Sequence, residues 1–238
     1  MKKRVISLAL SAVMVFSAAC PAFAAKKEEQ TDVGTTVYYK NDFEDGKLKS
    51  FTLTSKTNRV EVEEDKSGNH YVAFEAVDGS SDFYADYSIS NVNRYLVVQF
   101  DIATTKKVAA LGLQYRDADR KVGYIAQLNT DAEFKASYSS ALCTLDTKKS
   151  KWTNVALAMD FQSRTMDVYI NNKEAAKAVN FGSEGMQSIT SMRFYCAGGN
   201  QNEQGAKTMI DNMLVYEGTK PRKISFDAPE DEVCKITT

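Results

Sequence analysis

Residues 152–173, WTNVALAMDFQSRTMDVYINNK, carry the pattern that decides the fold. In MDVYI, residues 166–170, apolar and polar side chains alternate, and this period of two is typical of a strand with one buried face. Asn171 and Asn172 follow, and asparagine tolerates the positive φ angles that a two-residue hairpin turn requires. The segment therefore predicts a β-hairpin with a tight turn.

Short alternating runs also lie on both sides of this hairpin, separated by D-G, S-G, N-N and G-G turns. Few stretches have the period of a helix, although residues 173–180 are rich in Ala, Lys and Glu and could begin a short one. Two facing sheets bury the apolar sides of so many strands, so we predict an all-β, two-sheet antiparallel sandwich. The predicted strands are residues 36–43, 50–54, 59–64, 69–77, 82–90, 94–104, 108–117, 121–129, 132–138, 151–161, 164–171, 173–180, 188–197 and 206–217.

The first 24 residues have the layout of a secretory signal peptide. Basic residues 2–4 precede an apolar run at residues 5–19, and Ala22 and Ala24 occupy the positions that signal peptidase recognises. A run of about 15 residues is shorter than the roughly 20 that cross a bilayer as a helix. We therefore predict a signal peptide at residues 1–24 and a protein that is secreted, extracellular or associated with the cell surface.

The cysteines leave two questions open. Acylation of Cys20 is the alternative to ordinary cleavage, but Ser17 stands where a lipoprotein signal has an aliphatic residue. After cleavage Cys143, Cys196 and Cys234 would remain, an odd number in an oxidising compartment. If one disulfide forms, we favour Cys143 with Cys196, because both lie within the patterned domain.

Composition divides the rest of the chain into three parts. Residues 25–35 are charged and aperiodic and predict a flexible leader, residues 36–218 predict one sandwich domain, and residues 219–238 predict a polar tail or linker. The whole chain has 30 Lys and Arg against 31 Asp and Glu, so loss of the three basic residues of the signal would leave 27 against 31. Because the lysines are scattered among acids, we expect no nucleic acid as a partner. No later segment is long and apolar enough to span a bilayer, so we also expect no membrane insertion.

Three segments together resemble the laminin-G and concanavalin-A-like jelly-roll superfamily, as found in modules of secreted bacterial proteins. They are residues 152–173, NDFEDG at 41–46 and MIDNMLVY at 209–216. The resemblance covers residues 37–217 and implies a jelly-roll sandwich, in which Trp152 would pack into the core. The superfamily includes lectins, glycoside hydrolases, polysaccharide lyases and spacer modules, so the fold alone does not choose a function.

The resemblance also implies a structural calcium ion, which some members bind where the first and last strands meet. Glu44 and Asp211 match those positions, and Asn41 and Asp42 lie close by in sequence. Calcium takes six to eight oxygen ligands from carboxylates and carbonyls, which suits these residue types. The alternative is that these acids are solvated at strand ends or that Asp211 organises a turn.

No group of residues has the spacing of known catalytic machinery, so we name no catalytic residue. Glycoside hydrolysis needs two carboxylates facing one groove, and the acids at 61–65 lack the spacing and predict an exposed strand edge. EFKASY at 133–138 superficially resembles an alginate lyase strand, but its companion motifs are missing. The single histidine, His70, falls in a Gly-Asn turn, and neither a nucleophile elbow nor a zinc-ligand spacing is present.

What remains is a binding face for carbohydrate, built from aromatic platforms and polar side chains. The candidate ligand-binding residues are Tyr84, Tyr115, Arg116, Tyr124, Gln127, Arg193 and Tyr195, with Tyr87, Asn129, Tyr138 and the loop 198–202 as further contributors. The alternative for each tyrosine is ordinary cross-strand packing. An outward row of these tyrosines in one groove would favour binding, and their burial would favour a spacer.

The leading hypothesis is a secreted, non-catalytic carbohydrate-binding jelly-roll module that recognises a cell-surface or environmental polysaccharide. An adhesion or spacer module, which binds protein or positions a neighbouring domain, is the alternative. A diverged polysaccharide lyase or glycoside hydrolase is the third hypothesis.

Overall fold

A computed structural model describes residues 36–55, 57–77, 81–137, 139–182, 186–198 and 201–223, all within the compact unit Asp32–Thr238. Several sequence-based predictions lie outside these residues. They are the signal peptide at 1–24 with Cys20, the leader at 25–35, Tyr138, residues 199–200 of the predicted binding loop, and residues 224–238 of the predicted tail with Cys234.

The described residues form fifteen strands and no helix. The strands are β1 Val37–Asn41, β2 Phe51–Thr54, β3 Arg59–Glu64, β4 His70–Ala76, β5 Phe83–Val92, β6 Tyr95–Thr104, β7 Leu111–Arg116, β8 Val122–Leu128, β9 Glu133–Ala136, β10 Ala141–Thr144, β11 Thr153–Asp160, β12 Thr165–Ile170, β13 Lys173–Asn180, β14 Ile189–Cys196 and β15 Ala206–Tyr216. All fourteen predicted strands are confirmed, and β10 was missed. Within the described segments no helix is long and apolar enough to cross a membrane.

The strands form two sheets that face each other. Sheet I has eight strands in the order β13-β12-β11-β6-β15-β4-β3, with β1 also paired to β15. Sheet II has seven, in the order β10-β9-β8-β7-β14-β5-β2. Every pairing is antiparallel, so the predicted fold class, an all-β jelly-roll sandwich, is confirmed.

The core lies between the inner faces of the two sheets. Phe194 of sheet II packs with its ring centroid 5.8 Å from Phe74 and 5.7 Å from Phe100, which both belong to sheet I. All three rings are almost fully buried. In each strand, every second side chain faces this core, so the apolar half of the alternating pattern is buried between the sheets. This burial of apolar surface is the main favourable term in folding.

The hairpin that decided the fold forms as predicted. Asn171 and Asn172 have φ angles of 49° and 62°, the left-handed values of a tight turn between β12 and β13. The Oδ1 atom of Asn171 also accepts a hydrogen bond from the backbone nitrogen of Asn154 at 3.0 Å. Residues 173–180 form a strand and not a helix, because pairing with β12 outweighs their local propensity.

Trp152 does not pack between the sheets, so its assignment to the core was wrong. It packs on the outer face of sheet I, with its ring centroid 5.7 Å from that of Tyr71. The reason is the alternation of β11, in which Val155 and Leu157 face inward. Trp152 has the opposite parity, which directs its side chain outward.

The favoured disulfide between Cys143 and Cys196 is not formed, and both thiols are free. Cys143 lies on β10 and Cys196 on β14, with β9, β8 and β7 between them in sheet II. At about 4.8 Å per strand the two positions are roughly 19 Å apart. A disulfide needs Cα atoms within about 7 Å, so the fold itself prevents this pair.

Candidate functional site

Strand alternation places a set of side chains on the outer face of sheet II. On β14, Phe194 and Cys196 are buried, so Arg193 and Tyr195 face outward. The register aligns outward residues of neighbouring strands into rows. One row contains Tyr84, Tyr195, Gly112 and Gln127, and the next contains Asp86, Arg193, Gln114 and Tyr124. Five predicted ligand-binding residues therefore share this face.

A cavity of about 410 Å³ opens on this face above β7, β8 and β14. We call it the sheet II groove and define it by Gly112, Tyr124, Gln127, Thr130, Tyr195 and Gln201. Its volume falls within the range of about 300–1,000 Å³ that is common for small-molecule sites. None of the described residues that line it is charged.

Gly112 gives the groove its space. A Cβ atom at this position would lie 3.1 Å from Cε1 of Tyr124 and 3.7 Å from the backbone oxygen of Tyr195. A glycine inside a strand often marks such a close approach, because any side chain would have to displace its neighbours. A larger residue here would occupy the space between the two tyrosines.

The ring of Tyr195 is held in place by Asp82. Burial, followed by a hydrogen bond from the phenol to Asp82, raises the pKa of Tyr195 to about 12. Asp82 Oδ1 also accepts a hydrogen bond from the backbone nitrogen of Gly198 at 2.6 Å. Asp82 thus ties the ring to the loop after β14, and the phenol stays protonated at physiological pH.

Two amides at the groove are fixed by backbone groups. Gln127 Nε2 donates to the carbonyl oxygen of Ser137 at 3.1 Å, which leaves its own carbonyl oxygen and second N–H for a ligand. Asn202 is buried and donates to the carbonyl oxygen of Ala197 at 3.0 Å, while its Oδ1 accepts from the nitrogen of Ala110 at 2.6 Å. Asn202 therefore anchors the rim of the groove and does not face a ligand.

Arg193 is not available as a free cation. Its Nε and Nη2 atoms lie 2.6 and 2.7 Å from the two carboxylate oxygens of Asp86, a bidentate ion pair. Its guanidinium carbon is 3.6 Å from the centre of the Tyr84 ring. The Tyr84 ring is in turn 6.4 Å from that of Tyr195. Arg193 and Tyr84 therefore pack together beside the groove, and Asp86 neutralises the charge of Arg193.

Two other predicted binding residues lie at the edge of this arrangement. Arg116 faces outward one row further along β7, paired with Ser191 and Val122, and does not line the groove. Asn129 lines the groove, but its side chain bonds to the backbone nitrogens of Asp131 and Glu133. Asn129 therefore organises the turn between β8 and β9.

Tyr115 and Tyr87 belong to the core, so their assignment to a binding face was wrong. Tyr115 is 0% exposed and packs against Phe161 and Phe181. Tyr87 is buried with its ring 4.7 Å from that of Tyr39. Both residues share the inward parity of their strands, which directs their rings between the sheets.

The two predicted calcium ligands lie at the ends of a connected set of polar groups. Asp211 is 3% exposed, and its Oδ2 accepts a hydrogen bond from Asn69 Nδ2 at 3.1 Å. Glu44 Oε1 accepts one from the backbone nitrogen of His70 at 3.1 Å. His70 thus begins β4 and contacts Glu44, whereas the sequence predicted a surface turn residue.

Burial raises the pKa of Asp211 to about 6, and the negative charges of Asp101 and Glu44 act in the same direction, against the hydrogen bond from Asn69. A nearby cation would relieve this cost, so the donor set fits calcium in charge. The described residues contain no group of three or more His, Cys, Asp and Glu side chains suited to a metal. Amide and backbone oxygens would have to complete the ligand set.

Gly112 and Asp82 were not predicted from the sequence, whereas Gln201, which lines the groove, belongs to the predicted binding loop 198–202. A glycine between two apolar residues in LGL is a recognisable sign of close approach within a strand. Asp82 carried no comparable signal, because its role depends on a contact with Gly198 in the loop after β14 that forms only in the folded chain.

Neither a protein-family model nor a curated protein matches the sequence. Among solved structures, a sialidase matches with a TM-score of 0.61 and 14% identity, over 75% of this chain and 18% of the sialidase chain. TmCBM61 in complex with β-1,4-galactotriose matches with a TM-score of 0.44 and 14% identity, over 77% of this chain and 99% of that one.

Botulinum neurotoxin type C, whose cell entry is described as dependent on two ganglioside molecules, matches with a TM-score of 0.48 and 9% identity, over 83% of this chain and 46% of that one. At 14% identity the likeness to the sialidase shows the fold alone. This chain spans less than a fifth of the sialidase chain, so the match concerns only a part of that protein.

Proposed function

We propose that this chain is a carbohydrate-binding module and that the sheet II groove is its sugar site. The observation that carries the proposal is the placement of Tyr124 and Tyr195 on either side of Gly112, with the Gln127 amide in the same cavity. Non-catalytic binding is part of the proposal, because no chemistry is needed to account for this arrangement.

The groove suits the chemistry of a sugar ring. A pyranose has apolar C–H patches, which pack on aromatic faces, and hydroxyl groups, which both donate and accept hydrogen bonds. Tyr124 and Tyr195 supply the aromatic surface, and Gln127 supplies an amide that can donate and accept at once. Because Gln127 and Tyr195 are held by other groups, little side-chain entropy is lost when a ligand binds.

The ligand we propose is a neutral sugar unit. The lining is uncharged, and the nearby guanidinium of Arg193 is already paired with Asp86. An anionic sugar would lose hydration on entering the groove without gaining an ionic partner there. The expected signal peptide favours export of the protein. We therefore propose a neutral polysaccharide outside the cell as the partner.

A polysaccharide array probed with the purified chain in millimolar calcium tests the proposal. We expect binding to at least one neutral glycan, followed by loss of affinity by about tenfold in Tyr195→Ala and a larger loss in Gly112→Val. Tyr169→Ala is the matched control, because Tyr169 is a half-buried tyrosine on the outer side of sheet I. It should leave the affinity unchanged.

Two outcomes would contradict the proposal. If no glycan binds while the protein is folded by circular dichroism, the adhesion or spacer hypothesis is favoured. If a glycan binds and Gly112→Val has no effect, the sugar site lies elsewhere on the molecule.

We further propose that calcium stabilises the contact between the loop of Glu44 and β15. The support is the buried carboxylate of Asp211 and its link through Asn69 and His70 to Glu44. Calcium should raise the melting temperature of the chelated protein, and Asp211→Asn should remove that rise. Equal melting temperatures with and without millimolar calcium would count against the ion.

A further inference from the structure

A second cavity, of about 310 Å³, lies on the outer face of sheet I, on the opposite side of the sandwich from the sheet II groove. We call it the sheet I cavity. Its polar lining includes Gln99, Asp101, Asn154, Asn212, Arg222 and Lys223. Gln99 and Asp101 lie on β6, Asn154 on β11 and Asn212 on β15, which are neighbouring strands.

An irregularity in β15 builds one wall of the cavity. The register between β15 and β6 shifts between Asp211 and Leu214, and Asn212 has a φ angle of 49°. Such a bulge redirects a side chain out of the regular alternation, and asparagine tolerates this left-handed conformation. As a result Asn212 Nδ2 reaches Asp101 Oδ2 at 2.9 Å, while Asn154 Nδ2 donates to Asp101 Oδ1 at 2.7 Å.

Unsatisfied polar atoms are concentrated at this cavity. Seven buried side-chain nitrogen or oxygen atoms of the described residues have no hydrogen-bond partner, and four of them belong to residues that line it. They are the acceptors Gln99 Oε1 and Asn154 Oδ1, and the donors Nε and Nη2 of Arg222. Buried polar groups without partners are rare and costly in native proteins, so a ligand that forms hydrogen bonds with these four atoms would relieve that cost.

The two donors of Arg222 define one part of that ligand. Nε and Nη2 form the edge of the guanidinium that binds a carboxylate with two parallel hydrogen bonds. The guanidinium carbon lies 4.0 Å from the centre of the buried Tyr216 ring, which orients this edge. Arg222 and Lys223 carry two positive charges against the single negative charge of Asp101, so the lining favours a monoanion.

The two amide acceptors define the other part. Gln99 Oε1 and Asn154 Oδ1 can each accept a hydrogen bond, and hydroxyl groups are donors of this kind. An ammonium group would instead seek an acid, but both oxygens of Asp101 already accept hydrogen bonds from amides. We infer that the sheet I cavity binds an acidic sugar unit, with its carboxylate on Arg222 and its hydroxyls on Gln99 and Asn154.

Titration of the full chain with D-glucuronate and with D-glucose tests this inference, because the two sugars share a ring and differ in the carboxylate. We expect glucuronate to bind at least tenfold more tightly than glucose at this cavity, and to shift the side-chain amide signals of Gln99, Asn154 and Asn212 in NMR spectra. Arg222→Gln should weaken glucuronate binding at least tenfold. Lys177→Gln removes one positive charge from an exposed site on the same sheet and is the matched control, with less than a twofold effect.

The inference is overturned if Arg222→Gln leaves glucuronate affinity unchanged in a folded protein, or if inorganic phosphate displaces glucuronate at equal concentration. It is also overturned if Gly112→Val abolishes glucuronate binding, because the acidic sugar would then occupy the sheet II groove. Retention of glucuronate binding in Gly112→Val, with loss in Arg222→Gln, assigns the ligand to the sheet I cavity whatever the result for neutral glycans.

Discussion

The outer faces of the two sheets differ in how their polar groups are satisfied. In the sheet II groove, Tyr195 and Gln127 already bond to Asp82 and Ser137, and the lining is uncharged. In the sheet I cavity, Gln99 and Arg222 have buried polar atoms without partners, and charges are present. The polar groups of the first surface are held by other groups of the protein, whereas four buried polar atoms at the second have no hydrogen-bond partner among the described residues. This difference leads us to assign a neutral sugar to one face and an acidic sugar to the other.

The largest expected effect is on the free energy of unfolding, and it distinguishes a tyrosine on the inner face of sheet II from one in the sheet II groove. Tyr115→Ala should lower the free energy of unfolding by about 3–5 kcal/mol, because it removes a fully buried ring from the core. Tyr195→Ala, on the outer side of the same sheet, should lower it by less than about 1 kcal/mol. Urea denaturation measures both values. Similar losses in the two variants would contradict the separation of core and groove.

A second difference between the faces is their response to pH. Burial raises the pKa of Asp211, beside the sheet I cavity, from 3.8 to about 6. A carboxyl whose pKa is higher in the folded state makes folding less favourable as pH rises, here through the window from about 4 to 6. None of the described residues that line the sheet II groove has a carboxyl group.

In chelator, Asp211→Asn should therefore stabilise the protein at pH 7 by roughly 1–2 kcal/mol and have little effect at pH 4. Urea denaturation at the two pH values provides the measurement. Asp131→Asn, in the exposed turn after β8, serves as the control and should leave the pH profile unchanged. An equal effect of Asp211→Asn at both pH values would show that its charge is not responsible.

A smaller effect tests whether the groove is organised in advance. Asp82→Ala removes the acceptor for the Tyr195 phenol and for the Gly198 nitrogen. We expect neutral-glycan affinity to fall about fivefold, equivalent to about 1 kcal/mol, as measured by calorimetry. Glucuronate affinity should not change. A matching loss for glucuronate would mean that the two faces are not independent.

The smallest expected effect is also on the free energy of unfolding. It compares buried polar groups without a hydrogen-bond partner in the core and at the sheet I cavity. The Tyr115 hydroxyl is buried without a partner, as are the Arg222 nitrogens, but it lies in the core and not at a cavity. Tyr115→Phe should therefore raise the free energy of unfolding by up to about 1 kcal/mol and leave glycan binding intact. A clear loss of stability in the phenylalanine variant would show that the hydroxyl has a partner in solution.

Strand alternation in the sequence distinguishes inward from outward tyrosines at two positions of sheet II. In LGLQYR, Tyr115 shares the parity of Leu111 and Leu113, which predicts an inward ring. Likewise Tyr195 alternates with Phe194 and Cys196, which predicts an outward one. Parity alone thus separates a core tyrosine from a groove tyrosine.

Parity fails where strands are irregular. Tyr124 and Gln127 are three residues apart, yet both line the groove, because the register between β7 and β8 shifts between Leu113 and Gln114. A bulge of this kind depends on the partner strand and leaves little trace in one segment. Asn212 faces the sheet I cavity for the same kind of reason.

The sequence by itself determined fourteen of the fifteen strands, the hairpin at Asn171–Asn172 and the two-sheet sandwich. These features follow from local alternation and turn chemistry, which neighbouring residues decide. β10 was not predicted because it is an edge strand of only four residues, none of them buried, and so has no clear apolar alternation.

Only the tertiary structure decided which residues meet. It brought Gly112 of β7, Tyr124 of β8 and Tyr195 of β14 to one groove, and Gln99, Asn154 and Arg222 to one cavity. It also kept Cys143 and Cys196 apart and placed Trp152 outside the core. Strand order and register set these distances, and both arise from pairing between segments far apart in the chain, which no local pattern encodes.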